Sequence, residues 1–123
     1  MKILVVDDSS TMRRIISNIL KSNGYENIVE AGDGVEGLNQ LKAHPDVKMI
    51  LTDWNMPNMN GLDFLSKIRE STPATQLPVI MVTTEAEKAS VVAAIKAGAN
   101  NYIVKPFTPE IVKTKLEPFL NPA

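Results

Sequence analysis

The chain contains no cysteine. That absence excludes a disulfide framework and any thiolate metal site, and it agrees with a reducing compartment, so a cytoplasmic location is expected. No long apolar run occurs either. The N-terminal stretch MKILVVDDSS reaches Asp7 and Asp8 directly after Ile3 to Val6, far too soon for a signal-peptide core or a membrane span. An excess of charge of one sign is also lacking. The 13 Lys and Arg against 14 Asp and Glu make no electrostatic case for nucleic acid, and Arg13 and Arg14 read as a solvated helix face. The single histidine, His44, stands before Pro45 and reads as a solvated helix-end residue, not a phosphodonor. No linker or low-complexity tract interrupts the 123 residues. They read as one domain, 1–123, long enough to bury a core without staples.

Four compact runs are rich in Val, Ile, Leu and Met: Ile3 to Val6, Met49 to Leu51, Val79 to Val82 and Tyr102 to Val104, with a weaker one, NIVEA, around Val29. Continuous apolar strands signal burial on both faces of a sheet. Between them the period becomes helical. Met12, Ile15, Ile16, Ile19 and Leu20 follow the i, i+3, i+4, i+7, i+8 pattern, with Gly24 just past the expected end. Asp33 can cap a helix carrying Val35, Leu38 and Leu41, and Gly61 precedes one carrying Leu62, Leu65 and Ile68. Thr108, Pro109 and Glu110 offer an N-cap, a first-turn proline and an acid to the last helix. An Ala-rich helix is expected between Glu85 and Gly98. With no hairpin signals, this (βα) unit repeated five times implies an α/β fold: a doubly wound, five-stranded parallel sheet covered on both faces, with right-handed crossovers.

In such a sheet, ligands gather outside the carboxyl ends of the strands. Asp7 and Asp8 follow the first strand, Asp53 the third, Thr83 and Thr84 the fourth, and Lys105 the fifth. Segments far apart in the chain are therefore expected to meet at one edge. Two charges about 4 Å apart repel by about 4 kcal/mol at an effective dielectric of about 20, so three carboxylates need compensation. Oxygen ligands favour Mg²⁺ or Mn²⁺, and the lack of Cys and the single His argue against zinc. The plainer reading is that these aspartates cap helices, as Asp8 or Ser9 could before Met12. Lys105 and Thr83 suit a further role. If one carboxylate attacks a phosphoryl group, a metal, an ammonium and a hydroxyl can each neutralise or bond one of its oxygens. Asp53, alone at its strand end, is the candidate nucleophile, while Asp7 and Asp8 can hold the metal. Pro106 after Lys105 could supply a cis bond that aims the lysine inward.

The stretches ILVVDDSSTMRRII, TDWNMPNMNGLDFLSKIR, PVIMVTTEA and AGANNYIVKPFT together resemble the receiver domain of two-component response regulators, in its single-domain chemotaxis form. The resemblance covers essentially the whole chain. It implies a flavodoxin-like strand order 2-1-3-4-5 and phosphorylation of Asp53 by a chemotaxis histidine kinase. It also implies a Mg²⁺ shell of Asp8, Asp53, the Asn55 backbone carbonyl and a water held by Asp7. Lys105 would contact the phosphoryl group, Thr83 and Tyr102 would form the switch pair, and Asn55 and Glu85 would tune the lifetime of the acyl phosphate. Such a protein catalyses only its own phosphorylation and dephosphorylation. Two departures stand out: Thr84 where a small Ala or Ser is frequent, and Pro118 inside the expected last helix, where it should disturb the final turn and the contacts near Phe119 and Leu120.

After the last helix no length remains for a DNA-binding effector, so the expected output is a changed protein-binding surface. The partners implied are the kinase, a flagellar motor switch protein and a phosphatase, with no nucleic acid and no membrane, and the chain is expected to act as a monomer. A single-domain phosphorelay intermediate is the alternative. A Mg²⁺-dependent phosphatase using an aspartyl-phosphate is disfavoured, because Asn55 stands where such enzymes carry a second acid. A flavin carrier would meet the flavin phosphate with the carboxylates of DDSST.

Overall fold

The computed structural model describes residues 1–73, 76–84 and 88–120, without the side chains of 88, 89 and 120. Five strands, β1 (Lys2–Val6), β2 (Asn27–Ala31), β3 (Val47–Thr52), β4 (Val79–Thr83) and β5 (Asn101–Val104), alternate with five helices, α1 (Ser10–Ser22), α2 (Gly34–Ala43), α3 (Gly61–Arg69), α4 (Lys88–Lys96) and α5 (Pro109–Leu120). All pairings are parallel, in the order β2-β1-β3-β4-β5. The fold class and strand order are those expected.

Strand alternation sends side chains to both faces, and each face has its own core. Leu4, Val6, Ile50, Val79 and Met81 join Phe64, Leu65 and Ile68 of α3 and Ala94 of α4. Ile3, Val5, Met49, Leu51, Ile80 and Ile103 join Ile16 and Leu20 of α1 and Val112 and Leu116 of α5. Burial of this kind stabilises by about 25 cal/mol per Å² of apolar surface, and it requires each strand to be apolar on consecutive residues.

Helix ends follow local chemistry. Ser9, not Asp8, caps α1 by accepting from the Met12 N–H at 3.2 Å, and Asp33 caps α2 by accepting from Glu36 at 2.8 Å. Asn60 caps α3, its side chain accepting from Asp63 at 2.8 Å, so Gly61 is the first helical residue and not the one before it. Thr108 caps α5. Gly24, at φ 93°, ends the α1 turn in the left-handed region that favours glycine.

Some sequence expectations shift. Ile15 and Val35 are 43% and 44% exposed; the buried stripe of α1 is Ile16, Ser17 and Leu20, and α2 buries Gly34 and Gly37. A period locates a stripe only to within one residue of helix rotation, and packing of α2 against α3 chooses the small residues for the close contact. Helix α5 runs through Pro118 to Leu120, and Phe119 still packs on the core. A proline in the last turn removes a donor where few residues remain to lose order. His44 is half-buried, not solvated: it closes α2, and its Nδ1 lies 3.2 Å from the Lys2 ammonium. Among the described residues, no helix is long and apolar enough to cross a membrane.

Candidate functional site

The strand order reverses at the β1/β3 boundary, because β2 lies on one side of β1 and β3 to β5 on the other. Register does the rest. Val6 of β1 pairs with Thr52 of β3, so the next residues on each strand, Asp7 and Asp53, emerge side by side. The ladder continues past the strand ends, the Asp53 N–H donating to the Val6 carbonyl at 2.9 Å and the Asp7 N–H to Ala31 at 3.1 Å. On the other side of β3, Thr83 pairs with Val104 and the Lys105 N–H donates to the Thr83 carbonyl at 2.8 Å.

These placements bring Asp7, Asp8 and Asp53 within 4.8 Å of one another, counting one carboxylate oxygen from each. Asp7 is buried, Asp53 half-buried and Asp8 exposed. The Lys105 ammonium lies 2.9 Å from Asp7 Oδ2 and 3.4 Å from Asp53 Oδ2, and the Lys105–Pro106 peptide is cis. Burial raises the Asp53 carboxyl above the ordinary aspartate range; Lys105 pulls it down, Asp7 pushes it further up, and the Trp54 N–H, donating at 2.7 Å, pulls it down. Three carboxylates against one ammonium leave two negative charges uncompensated when all are ionised, the deficit a divalent cation matches. Hard oxygen donors with an exposed member suit Mg²⁺, which keeps several of its waters.

The other expected site residues are arranged less uniformly. Thr83 is fully buried at the end of β4, and Thr84 beyond it is exposed. Tyr102 is 7% exposed and belongs to the core cluster that includes Ala94 and Ala99. It is therefore inside already, deeper than an ordinary aromatic at a strand start. Asn55 is exposed in the loop after Asp53. Glu85 lies outside the described residues.

Four contributors escape a reading of the sequence. Arg13, far from being merely solvated, donates through Nη1 to the Asp7 carbonyl and through Nε to Glu30 at 3.0 Å. The Ser9 N–H donates to Asp7 Oδ1 at 2.9 Å, and Trp54 contributes its backbone N–H, which no side-chain pattern advertises. Gly61 donates its N–H to the Trp54 carbonyl at 2.7 Å. A Cβ there would collide with the Asp53 carbonyl oxygen, a close approach of two backbone segments that only the folded chain reveals.

The model of the response regulator receiver domain matches residues 3–117. The chain belongs to that family. Receiver domains are phosphorylation-activated signalling proteins rather than conventional enzymes, and they bind Mg²⁺ through acidic residues. Among curated relatives, this receiver is 59% identical over 117 residues to the chemotaxis protein CheY1 of Helicobacter pylori, covering 95% of this chain and 94% of that one. It is 57% identical over 120 residues to the CheY homolog of Campylobacter jejuni, covering 98% and 92%. Similar solved structures include CheY4 of Vibrio cholerae, with TM-score 0.87, 34% identity and coverage of 97% and 98%. A chain of the CheX–CheY–BeF3–Mg²⁺ complex from Borrelia burgdorferi superposes with TM-score 0.89 at 30% identity, covering 95% and 87%.

Proposed function

We propose that this receiver, residues 1–123, takes a phosphoryl group onto Asp53 from the phosphohistidine of a chemotaxis kinase and signals in the cytoplasm, as a monomer, by binding a flagellar motor switch protein. One observation carries the chemical part: a single ammonium, Lys105, reaches both a buried carboxylate and the half-buried Asp53 at the edge where the strand order reverses. The names of the curated relatives carry the chemotactic part.

In the transfer, an Asp53 carboxylate oxygen attacks phosphorus, a new O–P bond forms, and the P–N bond to imidazole breaks with its electron pair leaving on nitrogen. Asp8, Asp53 and the Asn55 carbonyl would hold Mg²⁺, with Asp7 acting through a water, and the ion would offset the negative charge that gathers there. Trp54 N–H holds Asp53 Oδ1, leaving Oδ2, the atom beside Lys105, to react. Lys105 then exchanges a carboxylate contact for a phosphoryl oxygen. Thr83 supplies a hydroxyl from the neighbouring strand end, and Asn55 and Glu85 set access of the hydrolytic water. The protein so catalyses its own phosphorylation and dephosphorylation.

Output runs through Thr83 and Tyr102. Because the Tyr102 ring is already inside, phosphorylation would fix a position that the ring can occupy beforehand, which is a shift of population and not a new packing. Val92 and Ile95 of α4, Val104 of β5 and Ile111 of α5 are large apolar residues left exposed, and they suit the target surface. The Borrelia burgdorferi relative is a complex with a second protein, CheX, in keeping with a further partner here; a phosphatase is the expected one.

Incubation with acetyl phosphate and Mg²⁺, followed by mass mapping, tests nucleophile and metal together. One phosphoryl group on Asp53 is expected; modification elsewhere, or none, overturns the reading. Trp54 fluorescence should respond to millimolar Mg²⁺ and again to the acyl phosphate. Motor-switch binding only after phosphorylation, without return of phosphate to a histidine protein, separates motor control from a phosphorelay role.

A further inference from the structure

At the opposite edge of the sheet, where the strands begin, the C-terminal halves of α2 and α3 flank the start of β3 and the segment leading into β4. Between them lies a cavity of about 710 Å³, within the range of sites for small organic ligands. Its floor is apolar: Leu38 and Leu41 of α2, Val47 of β3, Ile68 of α3 and Leu77 before β4. Val47, Ile68 and Leu77 belong to the main core cluster, and Leu38 and Leu41 pack against it, so the cavity opens directly onto the core.

The lining is one-signed. Lys42, Lys48 and Lys67 line it and neither aspartate nor glutamate joins them, in a chain whose net charge is −1. Lys67 is partly engaged by Glu70 at 3.6 Å; among the described residues, Lys42 and Lys48 have no carboxylate partner. His44 takes part as a ring whose Nδ1 faces the Lys2 ammonium. Lysines in the last turns of α2 and α3 answer the helix dipole. That reason does not reach Lys48, which lies on β3, nor does it empty the lining of acids.

We propose that this cavity binds a small amphipathic organic anion, with its apolar body on the Leu38–Leu41–Leu77 floor and its carboxylate, sulfonate or phosphate at Lys42 and Lys48. None of the lining residues belongs to the Asp53 site, so the two sites are independent in composition.

The test titrates the full chain with 8-anilinonaphthalene-1-sulfonate and follows fluorescence and backbone amide shifts. Expected is one saturable site with a dissociation constant in the tens of micromolar, the order that ordinary ligand efficiency allows a probe of that size. Shifts should concentrate in 38–48, 67–72 and 76–77. Octanoate should displace the probe at least tenfold better than octanol, and Lys42→Glu with Lys48→Glu should weaken binding at least tenfold at unchanged melting temperature. Leu41→Gln should weaken it without altering the charge. Non-saturable binding, shifts centred on α4 and α5, equal displacement by octanol, displacement by an acidic peptide but not by octanoate, or indifference to the charge reversal would each overturn the proposal.

Discussion

The carboxyl and amino edges of the sheet are built from the same five strands, yet they gather opposite charges by different means. At the carboxyl edge, Asp7, Asp53 and Lys105 each follow a strand directly, and the hydrogen-bond ladder extends to their backbone N–H groups. Their spacing is therefore held by register. At the amino edge, Lys42 and Lys67 stand on helix ends and Lys48 on an exposed strand position, with long stems over an apolar floor. A strand-held carboxylate loses solvation as it is buried, as the raised Asp53 carboxyl shows; exposed charge on a flexible stem is screened and adjusts. Chemistry belongs at the first edge, and adaptable binding suits the second.

The contrast breaks most sharply at Asp53. Asp53→Asn should abolish labelling by acetyl phosphate, whereas the Lys42→Glu, Lys48→Glu pair should label normally; a labelled Asn variant, seen by intact mass, would move the nucleophile elsewhere. Next in size is Gly61→Ala. The added Cβ meets the Asp53 carbonyl, backbone that cannot step aside, and a loss of about 3 kcal/mol is expected, roughly 10 °C in melting temperature, with slower labelling.

Lys105→Met should cost about 2 kcal/mol in chelator, because it leaves Asp7 buried without its ammonium. Added Mg²⁺ should narrow that gap, which parallel melts with and without the ion would measure.

A smaller effect separates burial from ion pairing. Burial holds the Asp53 carboxyl above its ordinary value, so the folded protein binds that proton more tightly than the unfolded chain does. The resulting stabilisation is complete below the unfolded value of about 3.9 and is lost as pH rises through the raised folded value. In chelator, urea midpoints of the unsubstituted protein should therefore fall relative to those of Asp53→Asn across that window, leaving the variant more stable at neutral pH. A variant that melts lower in chelator at neutral pH contradicts the burial argument. Smallest of all, the Lys42→Glu, Lys48→Glu pair should stay within about 0.5 kcal/mol of the parent.

Much of this was legible beforehand because parallel sheets leave strong marks. The runs ILVV and VIMV, short and continuously apolar, read as strands buried on both faces, and residues placed just after parallel strands share an edge. Less was legible where one residue of rotation or one backbone group decides. Ile15 and Ile16 satisfy the same helical period, and only packing selects Ile16 for the interior. Arg13 reaches the Asp7 carbonyl, and Trp54 N–H holds Asp53 Oδ1; the first depends on where the fold puts an arginine that reads as solvated, and the second uses an N–H that every residue but proline carries.

The order of apolar and polar residues alone determined the layers, the alternation and the edge at which acids, a lysine and a threonine accumulate. Tertiary structure decided the rest: which carboxylate is buried, which oxygen of Asp53 is left beside Lys105, that Tyr102 lies inside, and that a lysine-rimmed hollow opens at the far end. The physical reason is range. Strand and helix patterns are written in neighbours a few residues apart, while burial, charge coupling and cavities depend on groups that only the folded chain brings within a few ångströms.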